Sequence, residues 1–156
     1  MNPETSRIAD QLRRAFNGEA WHGPDLHALL SDVKAKRAHA HPVAGAHSIW
    51  ELVLHIEVWT GAAMRAIQGT PMPKIVGTAE DWRTVTDASE QAWSNAVQSL
   101  FKTKDELAAA IEQFPDTRLT EIVPGRKYDF YYLFHGIVQH SLYHAGQIAL
   151  LKKGST

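Results

Sequence analysis

The sequence predicts an all-α protein with four long helices. Apolar residues recur at helical spacing in four stretches, and prolines and glycines separate these stretches from one another. The alternation typical of a β-strand appears only weakly, over residues 118–123. A chain of 156 residues is the size of one domain, so residues 1–156 are expected to fold as a single unit.

The first long helix is predicted over about residues 4–17. Ile8, Leu12 and Phe16 recur there at intervals of four, and a glycine follows as a stop signal. A shorter helix should follow Pro24. Its apolar residues are Leu26, Leu29, Leu30 and Val33.

The second long helix begins with the pattern of a capping box. Ser48 supplies a side-chain acceptor, and Glu51 follows three residues later. The helix should run to about Gln68, where a glycine and two prolines end it. His55 lies on its inward side. The apolar residues of that side are Leu52, Val53, Ile56, Trp59 and Ala63.

An irregular stretch over residues 69–85 precedes the third long helix, and a stretch of this length is often functional. The third helix is predicted from about residue 86 until Pro115, with the polar residues 101–106 forming a solvent face or a kink. The last helix is predicted over about residues 128–153, long enough to traverse a bundle.

Composition and charge exclude several classes of function. The formal net charge is −1, so the chain lacks the basic surface that nucleic-acid binding requires. It has no cysteine, which excludes disulfides, thiolate ligands and a cysteine nucleophile. No apolar run reaches the ~18 residues of a membrane span, and the polar N-terminus has no signal pattern. We therefore expect a cytoplasmic protein with neither a nucleic-acid nor a membrane partner.

Two histidines four residues apart carry the strongest chemical signal. On a helix, His140 and His144 share one face with Cβ atoms about 5–6 Å apart. Both imidazoles can then reach one metal ion at about 2.0–2.1 Å, and His55 from a facing helix would leave an open position. The alternative is a histidine pair that lines a polar groove. No glutamate follows His140, which excludes the H-E-x-x-H zincin motif.

Three stretches resemble the DinB-like superfamily, a damage-inducible, YfiT-like group of metal-binding four-helix bundles. They are SIWELVLHIEVW, the region from Trp82 to Trp93, and HSLYHAGQIALLKK. The most specific motif is H-x-x-x-H-x-G-Q-I over residues 140–148, and the resemblance covers nearly the whole chain. It implies an up-down-down-up four-helix bundle with a long crossover connection, often as a homodimer. Residues 69–85 would belong to that crossover.

The resemblance also implies a divalent transition metal, zinc or nickel, held by one histidine of the second long helix and two of the last. These are His55, His140 and His144. Three neutral imidazoles would leave a coordination position open, so metal-bound water or thiolate is the expected nucleophile. Gln147 and Tyr143 are candidates for hydrogen bonding to the ligands.

Several functions remain open at this point. The family includes thiol-dependent S-transferases and isomerases, so we expect a metal-dependent enzyme. It would be an S-transferase that joins a low-molecular-weight thiol to small electrophiles, or a metal-dependent hydrolase. The alternatives are a non-catalytic metal- or small-ligand-binding stress-response protein and a bundle with a vestigial metal site. Glu51 and Glu57 are possible general bases but are expected to be capping or surface residues.

Overall fold

The structure, a computed structural model, describes residues 3–154 and is all-helical, as predicted. Within these residues there are six α-helices and one 3-10 turn, and no strand. The helices are α1 (Glu4–Asn17), α2 (Leu26–Leu30), α3 (Ala35–His39), α4 (Ile49–Ile67), α5 (Glu90–Gln113) and α6 (Phe130–Gly154), and the 3-10 turn is Asp116–Arg118. The extended piece predicted at 118–123 is reduced to a single bridge between Ile122 and Asp129.

The four long helices form the predicted bundle, in which α1 and α4 each pack against both α5 and α6. Helices α4 and α5 are parallel, because contacts between them advance in the same direction along both. The ring centroids of Trp50 and Trp93 lie 5.2 Å apart, and further along Glu57 accepts a hydrogen bond from Ser99. Two parallel neighbours require a long connection, and residues 68–89 supply this crossover.

The other two helix pairs complete the up-down-down-up order. Helix α1 is antiparallel to α5, as two side-chain contacts show: Arg13 with Glu112, and Asn17 with Lys104. Helix α6 is antiparallel to α4, as two ring contacts show: His55 with His144, and Trp59 with His140. The topology implied by the resemblance is therefore confirmed.

The predicted helix starts are confirmed in part. The capping box of α4 is complete, since Ser48 Oγ accepts from the Glu51 amide at 3.2 Å and Glu51 Oε2 accepts from the Ser48 amide at 2.7 Å. Helix α5 begins at Glu90, later than predicted. Ser89 is the residue whose hydroxyl caps it, accepting from the Ala92 amide at 3.1 Å. Short helix α3 was not predicted.

The prediction of a solvent face or kink at residues 101–106 is wrong at its centre. Helix α5 is continuous there, and Lys104 is only 1% exposed. Its Nζ donates to Asn17 Oδ1 at 2.8 Å and to Asp105 Oδ1 at 2.6 Å. The Lys104 side chain lies against the rings of Phe16 and Phe101, about 6 Å from each centroid. Aromatic rings from two helices thus bury a residue that looks surface-exposed in the sequence.

The crossover folds back over one side of the bundle. The Met72 amide donates to the Pro124 carbonyl at 2.9 Å, and Arg83 bonds to both Glu57 and the Leu54 carbonyl of α4. These contacts hold residues 72–83 against α4 and the loop that precedes α6, next to His55. Among residues 3–154, no helix combines the length and apolar character that crossing a membrane requires.

Candidate metal centre

The structure brings the three predicted histidines together between α4 and α6. One nitrogen from each of His55, His140 and His144 lies within 4.8 Å of the others. The Nε2 of His140 is 3.0 Å from that of His55 and 3.1 Å from that of His144. In a tetrahedral site with bonds of 2.0–2.1 Å, neighbouring nitrogens are about 3.3 Å apart. The two distances to His140 Nε2 are thus within a few tenths of an ångström of what such an ion needs.

Hydrogen bonds at Nδ1 of His55 and His144, the nitrogens that point away from His140, determine which nitrogens carry protons. His55 Nδ1 lies 2.8 Å from the Asp81 backbone oxygen, which can only accept, so this nitrogen is the donor and Nε2 keeps its lone pair. His144 Nδ1 lies 2.6 Å from Gln147 Oε1, which has the same consequence. Two lone pairs therefore point at His140 Nε2, whose single proton could satisfy only one. The cluster has a surplus of acceptors, and the donor set suits a divalent cation.

Burial keeps the three rings neutral. It lowers the pKa of His55 and of His144 below the usual histidine value. The pKa of His140 falls to about 3, chiefly through burial and then through the proximity of His144 and His55. Near pH 7 all three imidazoles are thus in the form that binds metal. His140 Nδ1 is buried and has no hydrogen-bond partner among the described residues, so no hydrogen bond at this nitrogen orients the ring.

Asp81, in the crossover, is a site residue that the sequence did not reveal. It is 6% exposed, and its Oδ1 lies 3.2 Å from both His55 Nδ1 and Trp59 Nε1. Its Oδ2 accepts from the Gly77 amide at 3.3 Å. Asp81 therefore places a buried negative charge directly behind one histidine of the triad. The only signal in the sequence was the unusual length of the irregular stretch.

Trp82 and His47 also belong to this region. The Trp82 ring lies parallel to His55 at a centroid distance of 3.9 Å and to His47, on its other face, at 3.4 Å. A stack of three rings thus runs from the surface to the triad. The two candidate bases lie elsewhere: Glu51 is used in the capping box and contacts His41, and Glu57 bonds to Arg83.

A cavity of about 450 Å³ adjoins the three histidines. Its walls come from α4, the crossover, α6 and the loop that precedes α6. Five aromatic side chains line it: Trp59, Trp82, Tyr128, Tyr132 and Tyr143. Of the two residues predicted to support the ligands, Gln147 bonds to His144, whereas Tyr143 is 65% exposed and only lines the cavity. An open, mostly apolar space beside convergent polar groups is typical of a small-molecule site.

Fold and site together define a four-helix-bundle protein with a buried three-histidine cluster that can bind a metal ion. The family model of the DinB superfamily matches residues 20–148, most of the chain. The protein belongs to the DinB superfamily, as the resemblance predicted. No curated protein and no solved structure matches the chain.

Proposed function

We propose that the protein is a divalent-metal-dependent enzyme in which His55, His140 and His144 bind zinc or nickel. The reaction is the transfer of a low-molecular-weight thiol to a small electrophile, or hydrolysis when water replaces the thiol. One observation carries this proposal. Two histidine lone pairs, fixed by hydrogen bonds behind the rings, converge on a third histidine beside an open cavity.

When bound, such a metal supplies a Lewis acid that makes a coordinated thiol or water nucleophilic near neutral pH. The chain supplies the rest. Asp81 and Gln147 accept the Nδ1 protons and so hold the His55 and His144 rings in their binding orientation. The aromatic walls keep bulk water from the reacting groups. Because the chain has no cysteine, the thiol is a co-substrate.

Two further features are part of the proposal. The protein acts in the cytoplasm, where small thiols are kept reduced. It forms a homodimer, as the family resemblance implies. Light scattering after size-exclusion chromatography should give twice the mass of one chain, and a monomer would contradict this feature.

Metal analysis of protein purified without a histidine tag tests the ligands. About one equivalent of a transition metal per chain is expected for the wild type, and His144→Ala should lose it. The matched control is His135→Ala, on the same helix but outside the triad, which should retain the metal. Less than about 0.1 equivalent in the wild type would reject the metal site.

Turnover tests the reaction. Cysteine with monobromobimane serves as the thiol-transfer assay, and p-nitrophenyl acetate as the hydrolysis assay, each with and without a chelator. We expect activity that the chelator abolishes, that added zinc or nickel restores, and that His144→Ala lacks. A protein that binds metal stoichiometrically without turnover in either assay is the non-catalytic binding protein instead.

A further inference from the structure

The cavity beside the triad has an unusual charge pattern. Among the residues that line it there is no lysine or arginine, and the one carboxylate is Asp81. The Asp81 oxygens already accept from Trp59 Nε1 and from the Gly77 amide. An anionic ligand would therefore find no cationic side chain and would lie near a buried negative charge. A cationic ligand would face the metal proposed for the triad.

The cavity walls suit an aromatic ligand better than a charged one. Besides its aromatic side chains, the cavity is lined by Met72, Val76, Leu133 and Ile137. Aromatic rings pack edge-to-face with other rings, and the methionine sulfur adds a favourable contact. Tyr132 and Tyr143 lie at the exposed rim of the cavity, since they are 66% and 65% exposed. Polar contacts are thus available at the mouth, and apolar contacts in the interior.

Gly136 creates the space in front of the triad. It lies one helical turn before His140 and two before His144, so the three residues share a face of α6. A Cβ atom at Gly136 would meet no heavy atom within 4 Å, and Gly136 lines the cavity. Glycine is disfavoured inside a helix, and here the missing side chain leaves the cavity open.

We propose that this cavity binds a neutral aromatic small molecule and that Gly136 determines its size. The inference rests on the proposed function in one respect: the bound molecule is the electrophile of that reaction. The nucleophile then carries the negative charge that a divalent metal attracts, and the electrophile beside it is uncharged. A planar ring lies between the α6 face at Gly136 and the aromatic walls, with any polar substituent at the tyrosine rim.

Calorimetric titration of the full-length protein, stripped of metal by a chelator, tests the ligand class. The probes are 2-naphthalenemethanol, the 2-naphthoate anion and the fully saturated decalin alcohol. The neutral naphthyl alcohol should bind at least about tenfold more tightly than naphthoate, and more tightly than its saturated analogue. Equal or tighter binding of naphthoate would overturn the neutral class, and equal binding of the saturated alcohol would overturn the aromatic class.

Two matched pairs of variants test the location. Gly136→Leu should weaken binding of 2-naphthalenemethanol at least about tenfold. Gly146→Leu, at another helical glycine with no heavy atom near its Cβ and outside the cavity, should leave it unchanged. If Gly136→Leu does not fold, Tyr132→Ala replaces it, with Tyr131→Ala as control. Tyr132 lines the cavity and Tyr131 does not, and both are exposed. Unchanged binding in the folded cavity variant overturns the proposal.

The titration separates this inference from the proposed function. It is performed without metal and needs no turnover. If the naphthyl alcohol binds as expected but the purified protein holds no metal, the cavity inference stands and the metal-dependent enzyme is rejected. A protein that binds metal and turns over, yet shows no preference for the neutral ring, would reject the cavity inference alone.

Discussion

The two sides of the bundle bury polar groups in opposite ways. Between α1 and α5, the Nζ of Lys104 is satisfied by Asn17 and Asp105 and lies near two aromatic rings. Between α4 and α6, the three histidines have more lone pairs than protons to share, and His140 Nδ1 has no partner among the described residues. The first cluster is complete without any ligand. The second has more lone pairs than protons, and a divalent cation could bind there.

A buried polar cluster can be structural or functional, and its hydrogen bonds distinguish the two cases. Burial by itself does not mark function, because a polar side chain that finds its partners inside the protein can be structural. Buried acceptors without donors destabilise the folded protein unless a ligand binds to them. Such a set next to an open cavity therefore indicates a binding site. In this protein the unmatched cluster lies beside the cavity of about 450 Å³.

Metal binding should stabilise the α4/α6 side more than any other change considered. Adding zinc or nickel to the metal-free wild type should raise the melting temperature by roughly 10 °C, because a ligand at 1,000 times its Kd contributes about 4 kcal/mol. His140→Ala should abolish this rise. A Lys104→Met variant should show the same rise as the wild type. Differential scanning calorimetry measures all three proteins. A metal-dependent rise in the melting temperature of His140→Ala would contradict binding at the triad.

The next effect concerns the α1/α5 side. Lys104→Ala should destabilise the protein by about 2–4 kcal/mol, because it removes a buried side chain and leaves a cavity between two phenylalanine rings. Lys104→Met keeps most of the volume and should change the unfolding free energy by only about 1 kcal/mol. Urea titration measures both. Loss of metal content in either variant would contradict a purely structural role for Lys104.

The sequence predicted the regular parts of this fold because they repeat. Helical spacing of apolar residues located all four long helices, and the capping box located the start of α4. Polar composition misled the prediction at Lys104, since its burial depends on Phe16 from another helix. That contact leaves no local signal in the sequence around residue 104.

In the candidate site, too, the residues on helices were predicted from the sequence and those in the crossover were not. The spacing of His140 and His144 follows from helix geometry. His55 was expected on the inward side of the second long helix, and the family resemblance supported it as the third ligand. Asp81 and Trp82 were not predicted as site residues, because the crossover has no periodicity and its position is set by contacts such as Arg83 with Glu57. Gln147 was predicted correctly, since it lies three residues after His144 on one helix.

Acidification should affect the two sides differently in the metal-free protein. The triad histidines have a lowered pKa in the folded state, so between pH 6.5 and the folded value of about 3 for His140 the unfolded chain binds more protons. Stability is therefore fully present above the unfolded pKa and is lost as the pH falls. The loss is at most about 1.4 kcal/mol per pH unit for one group. Urea titrations at pH 7 and pH 5 should show a smaller loss for His140→Leu than for the wild type, and equal losses would contradict the assignment.

A smaller change is expected at two carboxylates on the α4 side, Asp81 in the crossover and Glu57 in α4. Asp81→Asn keeps the backbone carbonyl that holds His55 Nδ1 and removes only the charge behind it. Zinc affinity should fall about tenfold, because the partner of a ligating histidine increases its basicity. Glu57→Gln is the matched control, since Glu57 bonds to Arg83 and Ser99 rather than to a triad histidine, and its zinc Kd should stay at the wild-type value. Competition with a chromogenic chelator measures each Kd. Equal losses in both variants would point to displacement of the whole crossover, and an unchanged Kd in Asp81→Asn would leave His55 oriented by the carbonyl alone.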